Sequence, residues 1–274
     1  MVRSMKVQFV HIPKTGGSSI QIAMEDWVEG ISRISVGMIN TNSIQGSSFK
    51  CPVHANLRTL FIGHRGWGVC EEIESYPGGL FTITAIREPV SRMVSLYDYN
   101  LLKRDTERAN KLFGSADTTT RYTLQELVKL YNSTEEIEPG EAIIRYSGSQ
   151  QARFMCGYEC LGPNAFKNAT FTEEYMLNRA LENLRKTDCV GVTDRLYALI
   201  DQLKLHLSWV PKRVTNWEKQ NTLPSLLKSV LDDEARAIML KWAWVDQRLY
   251  EEASKIANEK HVHAHKCLQK LGYA

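Results

Sequence analysis

Apolar residues in this chain gather in short runs separated by longer stretches of helical spacing. The first run, Val7-Gln8-Phe9-Val10-His11-Ile12, is rich in β-branched and aromatic residues and predicts a short buried strand. Pro13 stops it, Gly16 and Gly17 permit a tight turn, and Ser18 to Trp27 has helical character. Ile31 to Lys50, rich in Ser, Gly and Asn, is expected to loop across the surface. Leu57 to Ile62 predicts a second strand, ending at Gly63-His64-Arg65-Gly66-Trp67-Gly68. Leu80 to Ile86 predicts a third, ending in Arg87. Pro89 stands where a helix's first turn tolerates it, and the helix continues to Lys103. Thr123 to Tyr131 and Glu173 to Lys186 predict further helices. Cys189 to Val192 is a short strand candidate, followed by a helix from Arg195 to Trp209 and a loop from Pro211 to Pro224. From Leu231 the spacing is helical, with Ile238, Trp242, Val245, Leu249 and Ile256 on roughly one face, a stripe assigned to core packing.

Strands alternating with helices predict an α/β fold: a central parallel sheet flanked by helices, with a helical C-terminal part and ligands at the strands' carboxyl ends. The chain is expected to form a single domain over 1–274, with 103–121 as a polar loop, either a mobile lid or a disordered segment, and 231–274 as a helical extension. With 274 residues, 43% of them hydrophobic, it is long enough for a large core. A net charge of +3 suits an anionic ligand, while the lack of any long Lys/Arg block argues against nucleic acid. No apolar stretch approaches the roughly 20 residues that span a bilayer. Met1 to Lys6 runs straight into the first strand, so no signal peptide is expected. The six cysteines are scattered and are expected to be reduced, buried thiols; Cys156-x-x-x-Cys160 could instead close a small disulfide loop. Asn132 and Asn168 head glycosylation sequons, which matter only in a secreted chain.

The candidate chemistry begins at the first turn. A strand, a glycine turn and a helix N-terminus bring free backbone N–H groups and the positive end of the helix dipole to one point. Lys14 adds a full charge, and Thr15, Ser18 and Ser19 add hydroxyls, making a cradle for phosphate or sulfate. A nucleoside-triphosphatase loop would need its lysine after the glycines, and here Lys14 precedes Gly16 and Gly17. A second cluster, Arg87-Glu88-Pro89-Val90-Ser91-Arg92-Met93-Val94-Ser95, also follows a strand. Arg87 there can offer a bidentate fork, and Arg92 and Ser95 lie near one another on the helix that follows.

Pro13-Lys14-Thr15-Gly16-Gly17-Ser18-Ser19 resembles the P-loop-like 5′-phosphosulfate loop of sulfotransferases that use 3′-phosphoadenosine-5′-phosphosulfate (PAPS), most closely the carbohydrate branch of the heparan 2-O type. The second cluster resembles the segment by which these enzymes hold the 3′-phosphate. The resemblance runs from about Lys6 to Asn221 and implies PAPS as donor, 3′-phosphoadenosine 5′-phosphate (PAP) as product and no metal. It implies Lys14 at the bridging oxygen, with Thr15, Gly16, Gly17, Ser18 and Ser19 around the 5′-phosphosulfate. Arg87, Arg92 and Ser95 fall to the 3′-phosphate, and Arg213 and Lys219 in a late closing loop are further phosphate contacts. Sulfuryl transfer is in-line and needs a base for the incoming hydroxyl. His64, in a Gly-His segment like the one that supplies the base in the heparan 2-O type, is the choice, with Glu88 in reserve and His11 assigned a structural part. Ser149 to Phe154 more loosely resembles a stretch near the acceptor site.

The expected acceptor is a hydroxyl, on a glycan in preference to a small alcohol or phenol. A catalytically silent protein that binds nucleotide or sulfated ligands is the rival of a different class. The chain is expected to be soluble: cytoplasmic as it stands, or of the Golgi lumen if an anchor has been removed. His261, His263 and His265 alternate near the C-terminus and are assigned to a solvated tail in preference to a metal site, so no metal-ligating residue is expected.

Overall fold

The structure is a computed structural model that describes residues 6–29, 37–40, 59–63, 66–67, 80–103, 123–133, 148–157, 160, 172–207, 210–211 and 230–273. Five strands, β1 (Lys6–Val10), β2 (Gly37–Asn40), β3 (Thr59–Gly63), β4 (Leu80–Ile86) and β5 (Cys189–Val192), make one sheet in the order β2-β3-β1-β4-β5. Every pairing is parallel, with Val10 opposite Gly63 on one side and Thr84 on the other. The helices are α1 (Gly17–Glu29), α2 (Pro89–Lys103), α3 (Leu124–Ser133), α4 (Gln150–Cys156), α5 (Glu173–Lys186), α6 (Leu196–His206), α7 (Asp233–Trp242) and α8 (Trp244–Lys270). The α/β class and parallel sheet expected from the alternation of elements are therefore present.

Alternate side chains of a strand leave the sheet on opposite faces. Val7 and Phe9 of β1, Ile83 and Ala85 of β4 and Cys189 of β5 enter one core with Ile20 and Met24 of α1 and Leu199 and Leu203 of α6. Val10, Ile86, Val190 and Val192 enter another, with Met155 of α4, Leu184 of α5 and Val245 and Leu249 of α8. A sheet covered on both faces needs apolar residues on both, which is why these strands read as runs rather than alternations. Thr84 is an exception, fully buried, and its hydroxyl donates to the Val10 carbonyl at 3.2 Å. Unbonded, that hydroxyl would cost ~1–3 kcal/mol to bury. A third core joins α2, α3 and α7 through Val90, Met93, Val128 and Met239.

Leu80–Ile86, Glu173–Lys186 and Cys189–Val192 fall on their predicted bounds. Elsewhere the structure differs. Within the expected loop of Ile31 to Lys50, Gly37–Asn40 forms β2, because β3 offers it an unpaired edge. The helix expected from Arg195 starts as a 3₁₀ turn over Thr193–Arg195 and ends at His206. The C-terminal helical run is two helices that meet at Ala243. Helix α4 has only seven residues, too few for a periodic signal. Cys156, its last residue, is joined by a disulfide to Cys160, which corrects the expectation of reduced thiols for this pair; the chain turns back there through Gly157 at φ 122°. Cys189 is free and buried, and that burial pushes its thiol pKa up. No helix among the described residues is long and apolar enough to cross a membrane. The expected loop over 103–121 lies outside the described residues from position 104 on.

Candidate functional site

The strand order reverses direction at β1: the chain passes from β3 on one side of it to β4 on the other. In open parallel sheets the crevice beyond the carboxyl ends at such a switch point is the usual ligand site. The two basic clusters follow β1 and β4 and so flank this crevice.

After β1 the chain turns through Pro13 to Gly16 into α1. Lys14 has φ 68° and is alone among the described non-glycine residues in the left-handed region. That conformation costs an L-residue ~1–2 kcal/mol, so neighbouring contacts must hold it. The Lys14 carbonyl accepts from Arg87 Nη1 at 3.2 Å, and its Nζ stands 4.1 Å from the centre of the Tyr99 ring. Gly16 has φ 82°, and a Cβ there would lie 2.9 Å from Leu196 Cδ1. Gly17 is required for a different reason: a Cβ would meet His11 Cδ2 at 2.0 Å. His11 is buried and stacked on Phe9, so it shapes the turn from beneath, as the sequence suggested.

The hydroxyls and N–H groups of this loop divide into free and committed. Thr15 is fully buried and its Oγ1 donates to the Ile12 carbonyl at 3.0 Å. The only hydrogen of that hydroxyl is spent inside the turn, which corrects its expected part as a ligand donor. The Ser19 and Ile20 N–H groups both donate to the Gly16 carbonyl. Gly17 and Ser18 head the helix, where N–H groups have no carbonyl one turn back, and the Ser18 side chain is exposed. Ser18 is thus the exposed residue of the turn, beside the half-buried Lys14, while Gly17 is buried. Ser19 is buried.

Arg87 ends β4, and Gln151 of α4 clamps its backbone: the Arg87 N–H donates to Gln151 Oε1 at 2.8 Å and Gln151 Nε2 donates to the Arg87 carbonyl at 2.9 Å. The Arg87 Nε is buried with no hydrogen-bond partner among the described residues. Burial lowers its pKa, with Asp194 and then Glu88 opposing. Thr193, just after β5, sets its Oγ1 2.9 Å from the Thr15 carbonyl and 3.3 Å from the Ile86 carbonyl, stitching the two loops together.

Arg92, expected beside Arg87 as a cofactor contact, is turned inward and fully buried. Its Nη1 donates to Gln150 Oε1 at 2.6 Å, and its Nε lies 3.9 Å from Asp246 Oδ2. Asp246 in turn accepts the N–H groups of Gln151 and Ala152, at 3.0 and 2.8 Å, at the start of α4. Arg92 is thus a strut from α2 to α4 and α8, out of a ligand's reach. Burial raises the Asp246 carboxyl from 3.8 to about 6 despite Arg92, and lowers Arg92 to about 10. Desolvation of the pair outweighs its mutual attraction.

Ser95 is half-buried on α2. Glu88, the reserve base, instead caps α2: Oε2 accepts from the Ser91 N–H at 2.7 Å and Oε1 pairs with Arg236 at 3.2 Å. The stretch Ser149 to Phe154 forms the start of α4, where Gln151, Arg153 and Phe154 are buried, and through Gln151 it supports Arg87. His64, Arg213 and Lys219 lie outside the described residues. Sequence reasoning did not single out Tyr99, Thr193, Gln151 or Asp246 for these supporting parts. No local pattern marks them, because each acts across the fold on a residue at least 64 positions away.

In comparison with known proteins, the chain matches no protein-family model and no curated sequence.

Proposed function

We propose that this protein is a PAPS-dependent sulfotransferase that moves a sulfuryl group to an acceptor hydroxyl, with a carbohydrate hydroxyl favoured by the wording of its motifs. The observation that carries the reading is the bond from Arg87 Nη1 to the Lys14 carbonyl. It joins two clusters 73 residues apart across adjacent strand ends at the switch point, as a nucleotide with a 5′-phosphosulfate and a 3′-phosphate requires. The residues present fit such a ligand. Gly17 lets the turn pack directly on the His11 ring, and the buried Nε of Arg87 has no hydrogen-bond partner among the described residues.

The donor, when bound, supplies an activated sulfuryl group and a phosphate leaving group. Lys14 offsets the charge that develops on the leaving oxygen, and Gly17 and Ser18 orient the 5′ end through backbone N–H groups. Arg87 takes the 3′-phosphate, with Ser95 on the following helix. His64 remains the base that accepts the hydroxyl proton, on the strength of its motif, and Arg213 and Lys219 remain contacts of the closing loop on the same ground. A sulfuryl group carries less negative charge than a phosphoryl group, so this chemistry has no need of a magnesium clamp.

Calorimetric titration tests the reading with PAP against adenosine 5′-phosphate and ATP. The expected result is magnesium-independent binding that needs the 3′-phosphate. Arg87→Ala should weaken PAP about 10- to 100-fold, the worth of a charge-assisted bidentate contact, and leave adenosine 5′-phosphate nearly unchanged. Equal losses for both nucleotides, or a preference for magnesium–ATP, overturns it, as does the absence of nucleotide binding by the folded protein, which favours a catalytically silent protein that binds sulfated ligands only.

A further inference from the structure

His261, His263 and His265 belong to α8, not to a solvated tail. His261 and His265 are one turn apart on the same helix face, and both approach Asp201 of α6. His261 Nε2 lies 3.2 Å and His265 Nδ1 3.8 Å from the same oxygen, Asp201 Oδ2. The ligand atoms of all three side chains fall within 4.8 Å of one another. We propose that Asp201, His261 and His265 form a binding site for a divalent transition metal of the zinc class, a site independent of the sulfotransferase reading.

Zinc bonds of ~2.0–2.2 Å in tetrahedral array set ligand atoms roughly 3.4 Å apart, so the separations seen need only small side-chain adjustment. Two neutral imidazoles and one carboxylate are a borderline donor set, suited to zinc and, by the general affinity order, also to copper and nickel. The surroundings orient the ligands. Tyr197 stands edge-on to His261 with ring centres 5.7 Å apart. The Gln269 amide lies 3.1 Å from His265 Nε2, and its oxygen turned to that N–H frees Nδ1 to ligate. Lys204 approaches the other Asp201 oxygen, Oδ1, at 3.7 Å, so it does not block the edge that the histidines share. His265 is 47% exposed, which gives a metal an entry path and leaves room for a water as fourth ligand. A bound ion would tie α6 to α8, the two helices that cover opposite faces of the sheet beside β5.

The test is calorimetric and thermal-shift titration of the full chain, stripped with chelator, using zinc chloride. One site that raises Tm is expected. His265→Ala, a change at a half-exposed position that circular dichroism can show to be folded, should weaken that site about 100-fold, and Asp201→Asn should do the same. With cobalt, the wild type should show the intense visible bands of a tetrahedral centre, and both variants should lose them. His263 and Cys267, 3.7 Å apart on another side of α8, provide the control: His263→Ala with Cys267→Ser should change nothing. Zinc binding that survives His265→Ala and Asp201→Asn, or that disappears in the control variant, overturns the proposal, as does the absence of any zinc effect on the wild type.

Discussion

The rim of the switch-point crevice and the polar knot beneath it use the same residue types in opposite ways. At the rim, Lys14 and Arg87 are partly exposed, and the buried Nε of Arg87 has no partner among the described residues. In the knot, Arg92 and Asp246 are fully buried and hold each other, Gln150 and the start of α4. Arg87 and Arg92 come from one short motif, yet one stands partly exposed at the crevice and the other fixes the frame on which the first stands. Charge near a site therefore divides into charge that binds and charge that positions. The difference is read in burial and partners, not in residue type.

That division can be broken most sharply from below. Arg92→Ala should leave Asp246 as an uncompensated buried carboxylate and lower stability by ~3–5 kcal/mol in urea unfolding. A loss under ~1 kcal/mol would mean that the knot is not held as described. Replacement of both partners by apolar residues of similar volume should recover most of the loss, since a buried pair is not intrinsically stabilising.

At the rim the balance reverses. On the proposed function, Lys14→Ala should reduce sulfuryl transfer about 10²–10³-fold, the usual worth of a donor aimed at developing charge. Its urea midpoint should move little, because Lys14 is only half-buried and alanine takes up the same backbone conformation at the same strain. Near-normal turnover would remove Lys14 from the chemistry.

The knot also predicts a pH dependence. The folded-state pKa of Asp246 is raised from 3.8 to about 6, so between those values the folded protein binds a proton that the unfolded chain does not. This contribution is fully present below pH 4 and is lost as pH rises through about 6. Asp246→Asn should flatten that part of the stability profile relative to wild type, whereas an unchanged slope would assign it to other groups. The smallest effect expected is at the strained residue. Lys14→Gly should relieve ~1–2 kcal/mol of left-handed strain but add ~0.5–1 kcal/mol of chain entropy, leaving it up to ~1.5 kcal/mol more stable than Lys14→Ala.

Much of the framework was legible because it is local. The apolar runs at β1, β4 and β5 and the periodicity of α5 need no partner to be recognised, and Pro13, Gly16 and Gly17 punctuate the first turn by themselves. Glu88 could have been read as a cap, since a carboxylate just before Pro89 faces the free N–H groups of a helix start. β2 could not, because a four-residue edge strand exists only through its pairing with β3.

The sequence by itself determined that two basic clusters would each follow a strand of a parallel sheet, and that the first would carry a lysine and two glycines at a helix N-terminus. It did so because short-range sterics, hydrophobic period and helix-end electrostatics are encoded within a dozen neighbouring residues. Only the tertiary structure decided that β1 and β4 are neighbours, that Arg87 meets Lys14, that the Thr15 hydroxyl and Arg92 find partners inside the protein, and that two C-terminal histidines converge on Asp201. Those outcomes depend on which buried groups find partners across 60 or more residues of chain. Burial and hydrogen-bond completion are properties of the packed whole, and no local pattern contains them.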